Sequence, residues 1–257
     1  MNHLPLKITY IGGPTALIEL SGLRFLTDPT FDPPGGDYTT GPVTLHKTGG
    51  PAVPVDSVVF DVILLSHDHH ADNLDRLGRA ALPRAQKVIT TAAGAERLGG
   101  NAVGLNAWAS VDVAAPDGSV LRVTATPARH GPEGGDRGPV IGFVLQPAAA
   151  PDAAVYVSGD TVWYDELREI GKRFNIDRAI LNMGAARVAV VGPAHLTMSA
   201  ADGVEFARAF PETAIIPLHF EGWQHFSESR SVIAAAFAQA GLESRLHWME
   251  PGRPVNL

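Results

Sequence analysis

The segment at residues 58–75 constrains this chain more than any other stretch. An apolar, β-branched run ends abruptly at Ser66, and three histidines and two carboxylates follow within six residues: His67, Asp68, His69, His70 and Asp72. The run predicts a buried strand that delivers imidazole and carboxylate groups at its C-terminal end. These two donor types suit zinc, manganese or iron, whereas calcium and magnesium prefer shells of oxygen. The segment therefore predicts a metal site, although a solvated polar turn that caps the next helix would also use such residues.

Three later residues of the same chemical kind also follow short strand-like runs. They are His130, Asp160 and His219, and Gly159 just before Asp160 allows a close turn of the backbone. Because loops at one edge of a sheet converge, we expect these side chains to meet the first group in the folded protein. Each also has an ordinary explanation: a loop histidine for His130, a helix cap for Asp160 and a core histidine for His219.

Composition narrows the ligands and the partners. The chain has no cysteine, so any metal must be held by His, Asp, Glu or backbone atoms. A net charge of −7 argues against nucleic acid, and no apolar run approaches the ~20 residues that span a bilayer. Residues 1–7 lack the pattern of a signal peptide. We therefore expect a cytoplasmic protein with a small-molecule substrate and neither a nucleic-acid nor a membrane partner; formation of a homo-oligomer is left open.

Both halves of the chain run β-rich and then α/β, with no linker between them. This order predicts a single domain over residues 1–257, with sheets packed face to face and helices outside. Residues 29–56 are rich in Pro, Gly and Thr, and we expect a long loop that serves as a lid or substrate-binding flap. Strands are expected at 7–11, 16–20, 23–27, 61–65, 87–91, 119–126, 140–146, 153–157, 178–182, 213–218 and 244–249, and helices at 73–81, 92–98, 163–174, 200–210 and 229–240.

Taken together, these landmarks resemble the metallo-β-lactamase-fold hydrolases, most closely the branch similar to L-ascorbate-6-phosphate lactonase. Residues 8–19 and Thr27-Asp28-Pro29 look like the opening of that branch, and residues 67–73 answer its signature His-x-His-x-Asp-His. The resemblance implies an α+β fold, a four-layer αββα sandwich of the metallo-β-lactamase type. It also implies a hydrolase that uses a metal-bound hydroxide on a small-molecule lactone or other ester, an amide or a phosphodiester.

The resemblance further implies the role of each ligand residue. One or two zinc ions are expected, with manganese or iron as alternatives, and Asp72 would be catalytic by orienting the attacking water. The first ion would be held by His67, by His69 or His70, and by His130, and the second by Asp72, Asp160 and His219.

The signature departs from the family pattern in two ways. It is one residue too long, so either His69 or His70 pairs with His67, and it ends in Asn73 where the family has a histidine. Because Asn is a poor ligand for zinc, the second metal position stays open at this point. A metal-binding protein with a degenerate, non-hydrolytic site is the main alternative, and an iron oxygenase is a weaker one.

Four residues are expected to contact substrate or support the ligands, although each could be an ordinary polar residue. Asp28 is expected to hydrogen-bond a ligand histidine, while Asn73, His195 and His225 could lie near the substrate or the metal shell. The flap and the loop at residues 131–139 are the expected sources of specificity. Only three arginines, Arg129, Arg137 and Arg187, are candidates to bind an anionic substrate.

Overall fold

The structure is a computed structural model, and it describes residues 5–135 and 137–257. The described strands are, in chain order, β1 (Leu6–Gly12), β2 (Thr15–Leu20), β3 (Leu23–Thr27), β4 (Asp37–Thr40), β5 (Val43–His46), β6 (Val62–Leu64), β7 (Lys87–Thr91), β8 (Ala102–Leu105), β9 (Ser110–Ala114), β10 (Val120–Pro127), β11 (Ile141–Pro147), β12 (Ala154–Val157), β13 (Ile176–Asn182), β14 (Ala214–Leu218) and β15 (Pro254–Asn256). The described α-helices are α1 (Arg76–Ala81), α2 (Ala92–Leu98), α3 (Arg168–Arg173), α4 (Ala200–Ala209) and α5 (Arg230–Gln239).

Two large mixed sheets contain most of these strands. Among the described residues, seven strands form one sheet in the order β15-β1-β2-β3-β6-β7-β8, and six form the other in the order β14-β13-β12-β11-β10-β9. Both sheets are antiparallel in one part and parallel in the other, since β3, β6, β7 and β8 run parallel, as do β12, β13 and β14. The parallel strands place several carboxyl ends at the same edge of the molecule.

The apolar side chains pack as three layers of core, which confirms the expected αββα sandwich. Alternate residues of β6 face opposite ways: Val62 and Leu64 enter the core between the sheets, whereas Ile63 and Leu65 pack on the outer face with residues of α1. This two-sided burial explains why the run before the histidines is continuously apolar. Helices α4 and α5 cover the other sheet through buried side chains that include Phe206.

Several segments differ from the sequence prediction. Residues 29–56 contain the hairpin β4–β5 instead of a structureless loop, and residues 244–249 are not a strand, because a 3-10 turn occupies Glu243–Arg245 and the last strand is β15. Strands β8 and β9 were not predicted, and α3 begins five residues after the predicted start at 163. Strands β8 and β9 form at the edges of the two sheets, where they pair with β7 and β10.

Helix α1 also begins later than the predicted residue 73. Asp75 is its N-cap and accepts a hydrogen bond from the Gly78 backbone N–H at 2.9 Å. Residues 71–75 therefore precede the helix and form turns at the end of the histidine segment. The ordinary capping explanation for Asp72 and Asn73 is therefore wrong, because Asp75 performs that role.

A buried ion pair ties the flap at residues 29–56 to the first turn of α1. Lys47 is 2% exposed, and its Nζ lies 2.7 Å from Asp75 Oδ2. The same oxygen accepts the Asp32 backbone N–H at 2.6 Å, and the Asp32 carboxylate accepts the Tyr38 hydroxyl at 2.6 Å. The flap is thus fixed to the segment that carries the histidines.

Replacing Lys47 should destabilise the protein strongly, because the carboxylate of Asp75 would remain buried without its cation. We expect Lys47→Met to lower the free energy of unfolding by about 3–5 kcal/mol in urea titrations. Lys7→Met is the matched control, since Lys7 pairs with Glu19 on the surface and an exposed pair contributes at most about 1 kcal/mol. Equal losses in the two variants would show that the flap does not depend on this pair.

Candidate metal centre

Three imidazole rings converge at the ends of β6 and β10. The Nε2 atom of His67 lies 3.0 Å from Nδ1 of His70, and Nε2 of His130 lies 3.1 Å from the same atom. Donor atoms around a tetrahedral zinc ion with bonds of 2.0–2.1 Å are about 3.3 Å apart. Both contacts of His70 Nδ1 are therefore close to the spacing of donors on one metal ion, although His70 and His130 are 60 residues apart in the chain.

Hydrogen bonds to the other ring nitrogens set the tautomers of two of these rings. Nδ1 of His130 donates to the Leu196 carbonyl at 2.8 Å, so its Nε2 keeps a free lone pair. Nδ1 of His67 lies 2.9 Å from the Ser66 hydroxyl, which itself donates to Asp28 Oδ2 at 3.0 Å. His67 Nδ1 must then carry the proton, which leaves Nε2 of His67 as a lone-pair donor toward the shared point.

The two registers of the signature differ in whether His69 or His70 pairs with His67. Nε2 of His69 donates to the Arg137 carbonyl at 2.8 Å, and its Nδ1 is buried without a hydrogen-bond partner among the described residues. Donor atoms of His67, His69 and His70 all lie within 4.8 Å of one another. The contacts of His70 Nδ1 with both His67 and His130 favour the second register, in which residues 68 and 69 form the bulge.

A second set of donors lies beside the first. Nδ1 of His219 is 3.0 Å from Asp160 Oδ1, and Nε2 of His219 is 3.7 Å from Asp72 Oδ2. Asp160 Oδ2 lies 3.9 Å from His130 Nε2, so this carboxylate stands between the two sets. Asp160 Oδ2 and His219 Nε2 are buried and have no hydrogen-bond partner among the residues that the structure describes. Such orphaned atoms fit divalent cations, because a buried acceptor without a partner is costly.

The environment favours neutral rings at His67 and His70 and charged carboxylates at Asp72 and Asp160. Burial, together with the charge of His130, lowers the pKa of His70 to about 3, and burial likewise holds the pKa of His67 well below its ordinary value. Burial acts to raise the pKa of Asp72 and of Asp160, but hydrogen bonds and charge from His225 and His219 respectively outweigh it, so both pKa values are lowered. These four protonation states are the ones that metal ligands require. At His219 burial acts to lower the pKa, but the charge of Asp160 outweighs it and raises that pKa.

The backbone is strained where the ligands enter. His219 has φ of +55° and Gly159 has φ of +58°. A Cβ at Gly159 would lie 2.7 Å from the Ile141 carbonyl oxygen and 2.7 Å from Ser66 Cβ, so the glycine predicted to permit a close turn is required there. A non-glycine residue in this region is uncommon and tends to mark a functional position.

The remaining predicted site residues have different surroundings. Asp28 accepts Ser66 N–H at 2.6 Å and supports His67 through Ser66, not by direct contact. Burial and the nearby Asp160 charge raise the pKa of Asp28 to about 7. Asn73 is fully buried and its amide reaches Asp28 at 3.4 Å. His195 instead contacts Asp202 at 2.7 Å, at the start of α4.

His225 is brought to the centre, and two further residues were missed by the sequence reasoning. Nε2 of His225 lies 2.9 Å from Asp72 Oδ2. Asn182, at the end of β13, donates to Asp160 Oδ1 at 2.8 Å, and Ser66 orients His67. A polar residue that ends an apolar strand was the available signal for Asn182, since the same pattern identified Asp160 and His219.

A pocket opens directly onto the ligand residues. Its walls come from the flap hairpin, the signature, the loop after His130 and the segment before α4, and they are lined by Tyr38, Thr40, Val43, Leu45, His70, Ala71, Asp72, His130, Arg137, Ala186, Val188, Leu196 and His225. Of the three candidate arginines, Arg137 lines this pocket and Arg187 lines a neighbouring one. Arg129 stacks on Tyr164 at 4.4 Å instead. The pocket wall is therefore largely apolar apart from the ligand residues.

The chain is similar in sequence and in fold to several known proteins. A family model described as "Beta-lactamase superfamily domain" matches residues 23–220. A UPF0173 metal-dependent hydrolase from Caldivirga maquilingensis is 26% identical, over 97% of each chain. An isothiocyanate hydrolase from Delia radicum gut bacteria has a TM-score of 0.83 at 23% identity, over 98% of this chain and 99% of the other. A diiron β-hydroxylase from Streptomyces venezuelae has a TM-score of 0.68 at 16% identity, over 100% of this chain and 55% of the other.

The helices of the described chain are short. Within residues 5–135 and 137–257, none has the length and apolar character that crossing a bilayer would need.

Adjacent histidines offer a direct test of the first donor set. His70→Gln should lower the affinity for the first zinc ion by more than about 100-fold. Loss of a direct ligand should exceed the effect of disturbing an outer-shell partner, which reaches about 100-fold. His69→Gln should leave that affinity within a few-fold of the parent, because His69 donates to a backbone carbonyl. Zinc affinity measured by competition with a chromophoric chelator checks both variants, and the opposite pattern would favour the other register.

The buried neutral state of His70 predicts acid sensitivity of the metal-free protein. Its pKa is about 3 in the folded protein and about 6.5 in an unfolded chain. Between these values the unfolded chain binds a proton that the folded protein does not, so stability falls as pH falls, by up to about 1.4 kcal/mol per pH unit. Urea unfolding of chelated protein should show a shallower pH slope for His70→Gln, and an unchanged slope would contradict this origin.

Proposed function

Because this chain belongs to the metallo-β-lactamase superfamily and is a metal-dependent hydrolase, we propose that it cleaves a small, uncharged substrate with an apolar body. The single observation that supports the hydrolytic centre is the convergence of three imidazole nitrogens at 3.0 and 3.1 Å. The observation that supports the substrate class is the apolar wall of the adjoining pocket.

The proposed ligands are His67, His70 and His130 for the first ion. Asp160 would be shared with a second ion that also binds Asp72 and His219. Zinc suits this nitrogen-rich set best, with manganese or iron as alternatives; the diiron neighbour shares the fold alone. A bound divalent ion lowers the pKa of coordinated water and polarises the bond to be attacked.

The protein's own groups would orient and deprotonate the attacking water. The pKa of Asp72 is held below its ordinary value, so its carboxylate is a charged acceptor where it lines the pocket. This carboxylate can accept the proton of a water molecule; in this structure its Oδ2 accepts a hydrogen bond from His225. Burial of the site strengthens these electrostatic interactions and limits access of bulk water.

The pocket favours a neutral electrophile over a phosphodiester. Val43 and Leu45 of the flap line it together with Ala186, Val188 and Leu196. Arg137 is the one cationic side chain among the described residues that line this pocket, whereas sites for phosphate groups usually present several cationic groups. A lactone, another ester or an amide meets this description. An isothiocyanate, the substrate named for one structural neighbour, meets it as well.

A substrate panel tests the proposal. Zinc-loaded protein should hydrolyse a neutral butyrolactone, a p-nitrophenyl ester or benzyl isothiocyanate with kcat/KM more than about tenfold above that for bis(p-nitrophenyl) phosphate. Preference for the phosphodiester would overturn the substrate class. Absence of hydrolysis by fully metal-loaded protein would instead favour the alternative, a metal-binding protein with a degenerate site.

Two variants connect this activity to the centre. His130→Ala should remove metal and lower kcat/KM by more than about 100-fold. His195→Gln is the control, because His195 contacts Asp202 and not the ligand residues. If His130→Ala kept both metal and activity, the ligand assignment would be wrong.

A further inference from the structure

The second donor set shares one of its residues with the first. Asp160 stands between the two sets, at 3.9 Å from His130 Nε2, which leaves Asp72 and His219 as the members of that set that serve the second position alone. Asn73 follows Asp72 directly but does not complete the set, since its side-chain amide is directed to Asp28 at 3.4 Å. An amide is in any case a weak ligand for zinc, which takes nitrogen, sulfur and carboxylate donors.

His225 reaches this position from a different part of the chain. Its Nε2 lies 2.9 Å from Asp72 Oδ2, across 153 residues of sequence. The same oxygen lies 3.7 Å from His219 Nε2, so two imidazole nitrogens flank one carboxylate oxygen. These two distances lie on either side of the separation of about 3.3 Å between donors on a tetrahedral zinc ion.

The loop that carries His225 is held in place by backbone contacts. The Arg187 N–H donates to the His225 carbonyl at 2.9 Å, and the Gln224 N–H donates to the His46 carbonyl of the flap at 3.0 Å. The imidazole side chain is 9% exposed, and its ring centroid lies 4.6 Å from that of Phe226. The loop backbone and the contact with Phe226 thus position the ring beside Asp72, while its Nδ1 is buried without a hydrogen-bond partner among the described residues.

We propose that His225 is a ligand of the second metal ion, together with Asp72, Asp160 and His219. It supplies, from the loop after β14, the imidazole that Asn73 does not provide within the signature. The inference rests on the proposed metal-dependent function, but it concerns only the second position. The three imidazoles of the first position do not require His225.

Glutamine at position 225 separates ligation from hydrogen bonding. His225→Gln keeps an N–H group that can donate to Asp72 but removes the imidazole ligand. Dialysed wild-type protein should hold two zinc equivalents by mass spectrometry of the metal, and His225→Gln should hold one. Titration calorimetry should show the second affinity reduced by more than about 100-fold and the first unchanged. His225→Ala should behave like His225→Gln, and His195→Gln like the wild type.

Cobalt provides a readout that does not depend on activity. The second equivalent of Co²⁺ should change the visible spectrum of the wild type and leave that of His225→Gln unchanged. Two equivalents bound with unaltered affinity by His225→Gln would overturn the inference and make His225 a positioning residue for Asp72. A wild type that binds a single equivalent would also overturn it while the proposed hydrolytic function stands, whereas a wild type that binds no metal would overturn both.

Discussion

Three carboxylates, those of Asp28, Asp72 and Asp160, are almost completely buried next to several imidazoles, and this concentration of polar groups dominates the energetics of the molecule. An ionised carboxylate taken out of water costs several kcal/mol unless other groups compensate it. Ser66 donates to Asp28, His225 to Asp72, and both Asn182 and His219 contact Asp160. Even so, Asp160 Oδ2 has no hydrogen-bond partner in the described part of the chain. A cation is the group that completes this balance, so metal binding and the stability of the site are linked.

The fold compensates for the cost of burying these polar groups by holding the ligand residues at the ends of buried strands. Strand β6 is buried on both faces, and the ends of β6, β10, β12 and β14 bring His67, His130, Asp160 and His219 together. The positive φ of His219 is tolerated because neighbours enforce it; its N–H donates to the Gly13 carbonyl at 2.9 Å. Strain of this kind persists where the surroundings over-determine the backbone.

The flap links substrate recognition to the same segment. Tyr38, Val43 and Leu45 form part of the pocket wall, and the buried pair between Lys47 and Asp75 fastens their hairpin to the residue that caps α1. The residues that would contact a substrate and those that would hold the metal therefore share one structural unit. A change in the flap should alter the ligand geometry as well as the shape of the pocket.

The sequence alone predicted sheets packed face to face and the types of ligand residue, because strand-like runs and the polar residues that end them are local properties of the chain; its resemblance to the metallo-β-lactamase-fold hydrolases implied the αββα sandwich. It left His69 and His70 as alternatives, since the contacts of His70 with His67 and His130 that favour it form only in the folded protein. Nor could the sequence predict that His225 contacts Asp72, 153 residues away, or that His195 contacts Asp202. These contacts form only when the two sheets have packed together and the flap lies against α1. Only the tertiary structure determined these contacts, because they join residues that are far apart in the sequence and no local pattern encodes which of them come together.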